Sequence, residues 1–325
     1  MLAFIIRRFS QSALVLLAVA VVVFVGIYAI GNPVDILLPD DATEEERQHA
    51  IQALGLDKPL PVQFFVFLGN ALKGDLGTSF VFNIPSIDLI LMRLPATLEL
   101  AFCALFIGVV LGIPLGLWAG LKPDSLADRT IVTGSILGFS LPNFWQGLML
   151  IMFFSVMLGW LPSSGRGQTG TILGIETSLA TWDGIRHLIL PAINLSLFKL
   201  SLLIRLTRAG VRETMPLDFV TFARAKGLSE TRIVGVHVLK TILVPIITVL
   251  GMELGSVIAF ATVTETIFAW PGMGKLIIDS LNQLDRPVIV AYLMVVTLMF
   301  IIINLVVDIF YSVLDPRVRI RGHAE

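Results

Sequence analysis

Six stretches of this chain are apolar for long enough to cross a lipid bilayer, and that constrains its fold more than any other feature. They run over about 9–30, 97–121, 130–160, 189–206, 241–264 and 288–314. A hydrocarbon core needs roughly 20 apolar residues per crossing helix. Backbone N–H and C=O groups in lipid must be satisfied within the segment, so runs of this kind form helices. The expectation is an all-α membrane protein with six transmembrane helices. Composition agrees, with 56% hydrophobic and only 14% charged residues, where soluble domains carry about 25% charged. A net charge of −1 gives no footprint for nucleic acid. The single Cys103 lies inside an apolar run, forms no intrachain disulfide, and reads as a small core residue.

The first run follows Arg7-Arg8 but is longer than the roughly 7–15 residues of a secretory h-region, so it reads as a retained helix. The third contains Ser140-Leu141-Pro142-Asn143, where Pro142 is expected to kink or break it. The fourth is short and interrupted by Lys199. With the N-terminus inside, the inner segments hold 14 Lys and Arg and the longer outer loops eight. That bias puts both termini and the loop 207–240 in the cytoplasm. Trp118, Trp160, Trp182 and Trp270 fall near span ends, where interfacial anchors belong.

The expected organisation is a first transmembrane helix over 1–30, an outer helical cap over 31–96, a five-helix core over 97–314 and a cytoplasmic tail over 315–325. Within the cap, Thr43-Glu44-Glu45-Glu46 reads as a capping box opening a helix to about Leu54, and Pro61 can open another to about Lys73. The outer loop 161–188 is rich in Gly, Ser and Thr, with an interfacial helix expected near Trp182 to Leu188.

Between the fourth and fifth runs lies a polar, basic segment, Asp218-Phe219-Val220-Thr221-Phe222-Ala223-Arg224-Ala225-Lys226-Gly227-Leu228. Phe219, Phe222, Ala223 and the stem of Lys226 recur at i, i+3, i+4 and i+7, on one helical face. Ala223 and Ala225 would allow close backbone approach by another surface. Gly227 is expected to stop this helix and Ser229 to cap the next. A short cytoplasmic helix of this composition is suited to docking against something soluble.

The Ala223-Arg224-Ala225-Lys226-Gly227-Leu228 run resembles the "EAA" coupling loop of ABC importer permeases, within the dipeptide/oligopeptide and nickel permease family. The likeness extends along the chain. It includes Gly74-Asp75-Leu76-Gly77-Thr78-Ser79, Ser140-Leu141-Pro142-Asn143-Phe144-Trp145, Thr264-Glu265-Thr266-Ile267-Phe268-Ala269-Trp270-Pro271-Gly272 and Asp315-Pro316-Arg317. Phe222 stands where that loop often has Glu. The resemblance implies the type I importer permease fold in a bacterial inner membrane. It also implies a second homologous permease subunit, two cytoplasmic ATPase subunits and an outer solute-binding protein. Asp218, Phe219, Phe222, Ala223, Arg224, Ala225, Lys226 and Gly227 would then form the ATPase-coupling element. ATP and Mg²⁺ would be bound by the ATPase partners, leaving this chain without cofactor or enzymatic activity. Small peptides are the implied cargo, with nickel chelates, opines and glutathione-like solutes as family alternatives.

Two nucleotide-like strings fail their context. Gly165-Arg166-Gly167-Gln168-Thr169-Gly170 spells G-x-G-x-x-G but follows a membrane helix, with no strand before it and no helix that it opens. Gly272-Met273-Gly274-Lys275 resembles the end of a P-loop, but Leu276 stands where Mg²⁺ needs a hydroxyl. The four histidines have no metal-ligand spacing. Glu265 reads as a polar hinge or hydrogen-bonded structural group, and Glu99 and Asp308 lie at span ends where no function is needed.

Lys199 and Glu253 fall near the middle of spans four and five. A lone charge there costs about 2.5–3.5 kcal/mol on insertion scales, so each needs compensation. They either pair across a polar cavity on a translocation pathway or form a packing pair with no part in transport. An ion-coupled secondary transporter using these two residues is the alternative from another class. It lacks an evident inverted repeat and leaves the docking loop without a purpose.

Overall fold

The computed structural model describes residues 2–29, 34, 42–53 and 55–314. The tail 315–325, with Arg317, Arg319 and Arg321, lies outside the described residues, as do the side chains of Arg7, Arg8 and Asp308. The helices are α1 Leu2–Ala29, α2 Glu44–Ala53, α3 Leu60–Leu72, α4 Ser86–Leu121, α5 Leu126–Ser140, α6 Asn143–Met157, α7 Trp182–Thr214, α8 Asp218–Ala225, α9 Glu230–Ile267, α10 Met273–Asn282 and α11 Arg286–Leu314. Two compact units are present, one from the described residues within 1–94 together with 272–302, the other from 95–271 together with 303–314.

Among the described residues four helices are long and apolar enough to cross a membrane: α4, α7, α9 and the Arg286–Val307 part of α11. The pair α5 and α6, bent by 107° at its break, is either a fifth, broken span or a re-entrant loop. Pro142 is the cause. Leu141 before it is extended (ψ 138°) and Pro142 opens α6, as pre-proline sterics require. The carbonyls released by the break are recovered by Gln146, whose Nε2 donates to Gly138 O and Leu141 O at 2.9 Å each. Such repair is what lets a broken helix persist at membrane depth.

Two boundaries differ from expectation. The second span starts at Ser86 rather than near 97, continuing through Pro95, and the short fourth span is a 33-residue helix that absorbs the expected interfacial helix. Thr181 caps the latter, its side chain accepting from Gly184 N at 2.9 Å. Hydropathy marks where lipid ends, not where a helix ends, so both helices extend into polar sequence.

In the second unit, α4 packs on α7 through glycines one turn apart. A Cβ at Gly112 would sit 2.8 Å from Leu203 Cβ, at Gly116 2.6 Å from Thr207 Cβ and at Gly120 2.7 Å from Val211 Cβ. Close approach over small residues is the main source of helix association in membranes, where no hydrophobic force acts between helices. Trp270 is a correction to the anchor pattern: it is fully buried, its Nε1 donating to Ala96 O at 2.9 Å. Trp118, Trp160 and Trp182 are exposed. The outer loop also contains a hairpin, β1 Gly170–Ile172 and β2 Ile175–Thr177, turned by Leu173 and Gly174, both with positive φ. That is the I′ geometry suited to two-residue hairpins.

In the first unit, Thr43 N donates to Glu46 Oε2 at 2.8 Å and Glu46 N to Thr43 Oγ1 at 3.3 Å, closing the expected capping box. Phe24 of α1 meets Phe64 of α3 edge-on at 5.3 Å. Buried Asp285 accepts from Ser79 Oγ and from Phe80 N, holding the turn after the Gly74–Thr78 segment.

Candidate functional site

The cytoplasmic loop forms the expected pair of helices. α8 ends in a Schellman motif: Leu228 N donates to Ala223 O and Gly227 N to Arg224 O. Gly227 takes φ +77°, a value that a side chain resists. Leu228 packs against the same core cluster as Ala223, the apolar contact that accompanies this motif. Ser229 caps α9, its Oγ accepting from Arg232 N at 3.4 Å. Arg224 Nε donates to Glu230 Oε1 at 2.6 Å, bridging the two helices across the turn.

The faces of α8 are divided differently from expectation. Val220 is fully buried and Ala223 is 6% exposed, both in a cluster with Leu203, Val211, Ile233, Val238 and Ile242. Ala223 therefore belongs to the chain's own core rather than to a docking face. Phe222 is 62% exposed, and Phe219, Arg224, Ala225, Lys226 and Gly227 are exposed beside it, as is Asp218. The Lys226 ammonium sits 4.5 Å from the centre of the Phe222 ring. The outward surface is thus an aromatic and basic ridge on a helix whose inner face is pinned.

Asp128 and Arg208 join the loop end of α5 to α7. Arg208 Nε donates to Asp128 Oδ1 at 2.6 Å and Nη2 to Oδ2 at 2.8 Å. Asp128 also accepts from Asp124 N, and its own N–H donates to the cap residue Ser125. No local pattern signals this pair, because its members are far apart in the chain.

Lys199 and Glu253 are paired. The Lys199 ammonium donates to Glu253 Oε2 and, at 2.8 Å, to Ser256 Oγ, which in turn donates to Glu253 Oε2 at 2.6 Å. The Phe198 ring lies 4.9 Å from the same ammonium. This arrangement satisfies both charges, so neither stands alone among apolar residues.

Glu265, fully buried, accepts from Thr97 Oγ1 at 2.7 Å, which fits a structural group. Glu99 does more than its place at a span end suggested. It pairs with Arg166 at 2.6 Å and accepts from Thr177 Oγ1 and Ser178 N, binding the outer loop to α4. Arg166 and its neighbouring glycines are thus the folded base of that loop, with Gly165 N donating to Phe268 O.

Residues 112–320 match the family described as binding-protein-dependent transport system inner membrane component, and residues 1–101 match its N-terminal region. The chain belongs to this family of transport permeases. Among curated relatives of this permease, the di/tripeptide transport system permease protein of Pseudomonas aeruginosa (strain UCBPP-PA14) is 40% identical, covering 98% of this chain and 99% of that one. The dipeptide transport system permease protein of Escherichia coli (strain K12) is 38% identical over the same shares. So is the oligopeptide transport system permease protein of Bacillus subtilis (strain 168). Among solved structures, an inward-facing form of the MetNI methionine ABC transporter superposes with a TM-score of 0.56 at 18% identity, covering 70% of this permease and 96% of that chain. That likeness bears on the fold: a mostly helical, multi-pass ABC permease architecture.

Proposed function

We propose that this chain is a permease subunit of an ATP-driven importer of dipeptides and short oligopeptides in a bacterial inner membrane. Its peptide cargo is inferred from relatives named for peptide transport that match it from end to end. A second homologous permease completes the channel, an outer binding protein delivers cargo, and two cytoplasmic ATPases bind the nucleotide and Mg²⁺. Six spans with both termini cytoplasmic fit this reading, α1 supplying the sixth and the Lys/Arg bias the orientation.

One observation carries the coupling mechanism: α8 offers an exposed Phe222 ridge while its inner face, its Schellman turn and Ser229 fasten it to α9. A push on the ridge is passed to α9 as a rigid element. ATP-driven closure of the ATPases would move the two together and rock the spans between inward-open and outward-open arrangements. Lys199 and Glu253 are candidates for the translocation pathway, their mutual pairing keeping a polar patch affordable inside the bundle.

The test is Phe222→Ala in the complete complex. Expected is assembly with normal thermal stability and loss of most binding-protein-stimulated ATP turnover. Coupled uptake at the wild-type rate would overturn the assignment of the ridge. Ala223→Arg is the wrong probe, because it drives a charge into the chain's own core.

A further inference from the structure

Two basic side chains on α7 have their charge met within the chain, Lys199 by Glu253 and Arg208 by Asp128. Arg205 lies between them and differs. Among the described residues no carboxylate is within ion-pair distance of it, and its hydrogen bond runs from Nε to Ser201 O at 3.3 Å. The two terminal nitrogens of its guanidinium donate to nothing among the described residues, and the side chain is partly exposed. One flat face is covered: the Phe139 ring centre lies 4.5 Å from the guanidinium carbon, and Phe139 stacks on Phe198 at 4.8 Å. In the proposed orientation α7 runs from the outer side at Trp182 to the cytoplasm at Thr214. An arginine near the inner end of a span ordinarily extends toward the nearer water and the lipid phosphates there. Arg205 folds the other way, toward Ser201, which lies a turn of about 5.4 Å further from the cytoplasm. Phe198, Ser201 and Arg205 recur at i, i+3 and i+7 and share one face of α7. Phe198 and Phe260, at 4.9 and 5.9 Å from the Lys199 ammonium, are both exposed.

We propose that Arg205, backed by Phe139, receives the C-terminal carboxylate of the cargo peptide on the translocation pathway. The assignment rests on the peptide-importer reading and deepens it. A charge at this depth is costly unless it is compensated. The planar fork of a guanidinium meets a carboxylate through two parallel hydrogen bonds, and the ring behind it fixes the plane of the fork. A phosphate oxygen has the same chemistry, but the headgroups of the inner leaflet lie in the direction that Arg205 turns away from. Lys199 offers no such site, because Glu253 and Ser256 already take its donors. A single cation with no resident carboxylate can take a passing charge and let it go, as a conducting pathway requires. Every peptide with a free C-terminus carries that carboxylate, so the contact leaves the side chains unread.

The experiment uses the complete importer in proteoliposomes with its binding protein, illuminated during turnover with alanine tripeptides that carry photoleucine at the C-terminal or the N-terminal position. Mass spectrometry of the digested permease then locates the label. The C-terminal probe is expected to mark residues 135–142 or 198–205 in excess over the N-terminal probe. Arg205→Gln should lower that labelling by about tenfold or more, the loss of a charge-assisted contact, while Arg205→Lys, which keeps the cation, retains more of it. Absence of label from both segments, equal labelling by the two probes, or labelling that survives Arg205→Gln overturns the proposal. The last two outcomes leave Arg205 to a lipid phosphate or to a carboxylate of the second permease. If Arg205→Gln does not assemble, the contrast between the two probes on the wild-type complex still decides. Failure of the wild-type complex to import trialanine would instead overturn the peptide reading, and this site with it.

Discussion

At the scale of single residues, two partnerships set the local chemistry outside the spans' centres. Asp128 is almost fully buried and held by both arms of the Arg208 guanidinium. Removing one member of a buried, doubly bonded pair leaves a charge without compensation and costs about 3–5 kcal/mol. Arg208→Gln should therefore lower stability by about 3 kcal/mol in detergent unfolding, and Asp128→Asn combined with it should recover part of that loss. Glu46 is the second case. Hydrogen bonds from the Thr43 backbone N–H and then its hydroxyl hold the Glu46 carboxyl below its ordinary value of 4.5. Its folded pKa is depressed, so the capping contribution is complete above that value and is lost as pH falls through the folded pKa. Hydrogen exchange corrected for intrinsic rates should show the first turn of α2 losing protection below pH 4.5, and Glu46→Gln should flatten that dependence. Arg208 and Asp128 were not legible together in the chain, being joined only by folding. The Thr43–Glu46 box was, because both members lie within one turn.

At the scale of elements, the glycine stripe of α4 makes the sharpest prediction. A Cβ at Gly116 would meet Thr207 Cβ at 2.6 Å and Ile204 O at 2.8 Å, while one at Gly134 of α5 meets nothing within 4 Å. Gly116→Val should separate α4 from α7 and abolish assembly, read as loss of the monodisperse complex in size-exclusion chromatography. Gly134→Ala should assemble normally and gain up to about 1 kcal/mol from helix propensity. The same contrast explains what could be read beforehand about α8. Gly227 and Ser229 act through their own backbone and near neighbours, so the end of one helix and the start of the next were visible in the sequence. Which face of α8 turns inward was not, because Ala223 and Phe222 sit on neighbouring positions of one small helix. Only the presence of Leu203, Val211 and Ile242 opposite decides between them.

At the scale of the whole molecule, the question is how a charged pair is tolerated inside an apolar bundle and whether it takes part in transport. Replacing Lys199 or Glu253 singly strands the other charge. A double-mutant cycle with Lys199→Met and Glu253→Leu should show a stabilising coupling of about 0.5–3 kcal/mol, measured by unfolding of the purified complex. Peptide uptake by the double variant then separates the two readings of the pair. Assembly with lost uptake fits a pathway role, and assembly with full uptake fits packing alone.

The amino-acid order on its own determined the solvent, the helical class, the polar loop and its caps, because each depends on the chemistry of residues within a turn or a run of one another. Lipid selects for apolar length, a proline breaks the helix that contains it, and a glycine accepts a left-handed turn wherever it stands. The tertiary structure alone decided that Ala223 is core, that Trp270 is buried and that Glu99 anchors the outer loop. Each of those outcomes depends on which distant atoms arrive within hydrogen-bonding or van der Waals distance, and that is set by the packing of helices against one another.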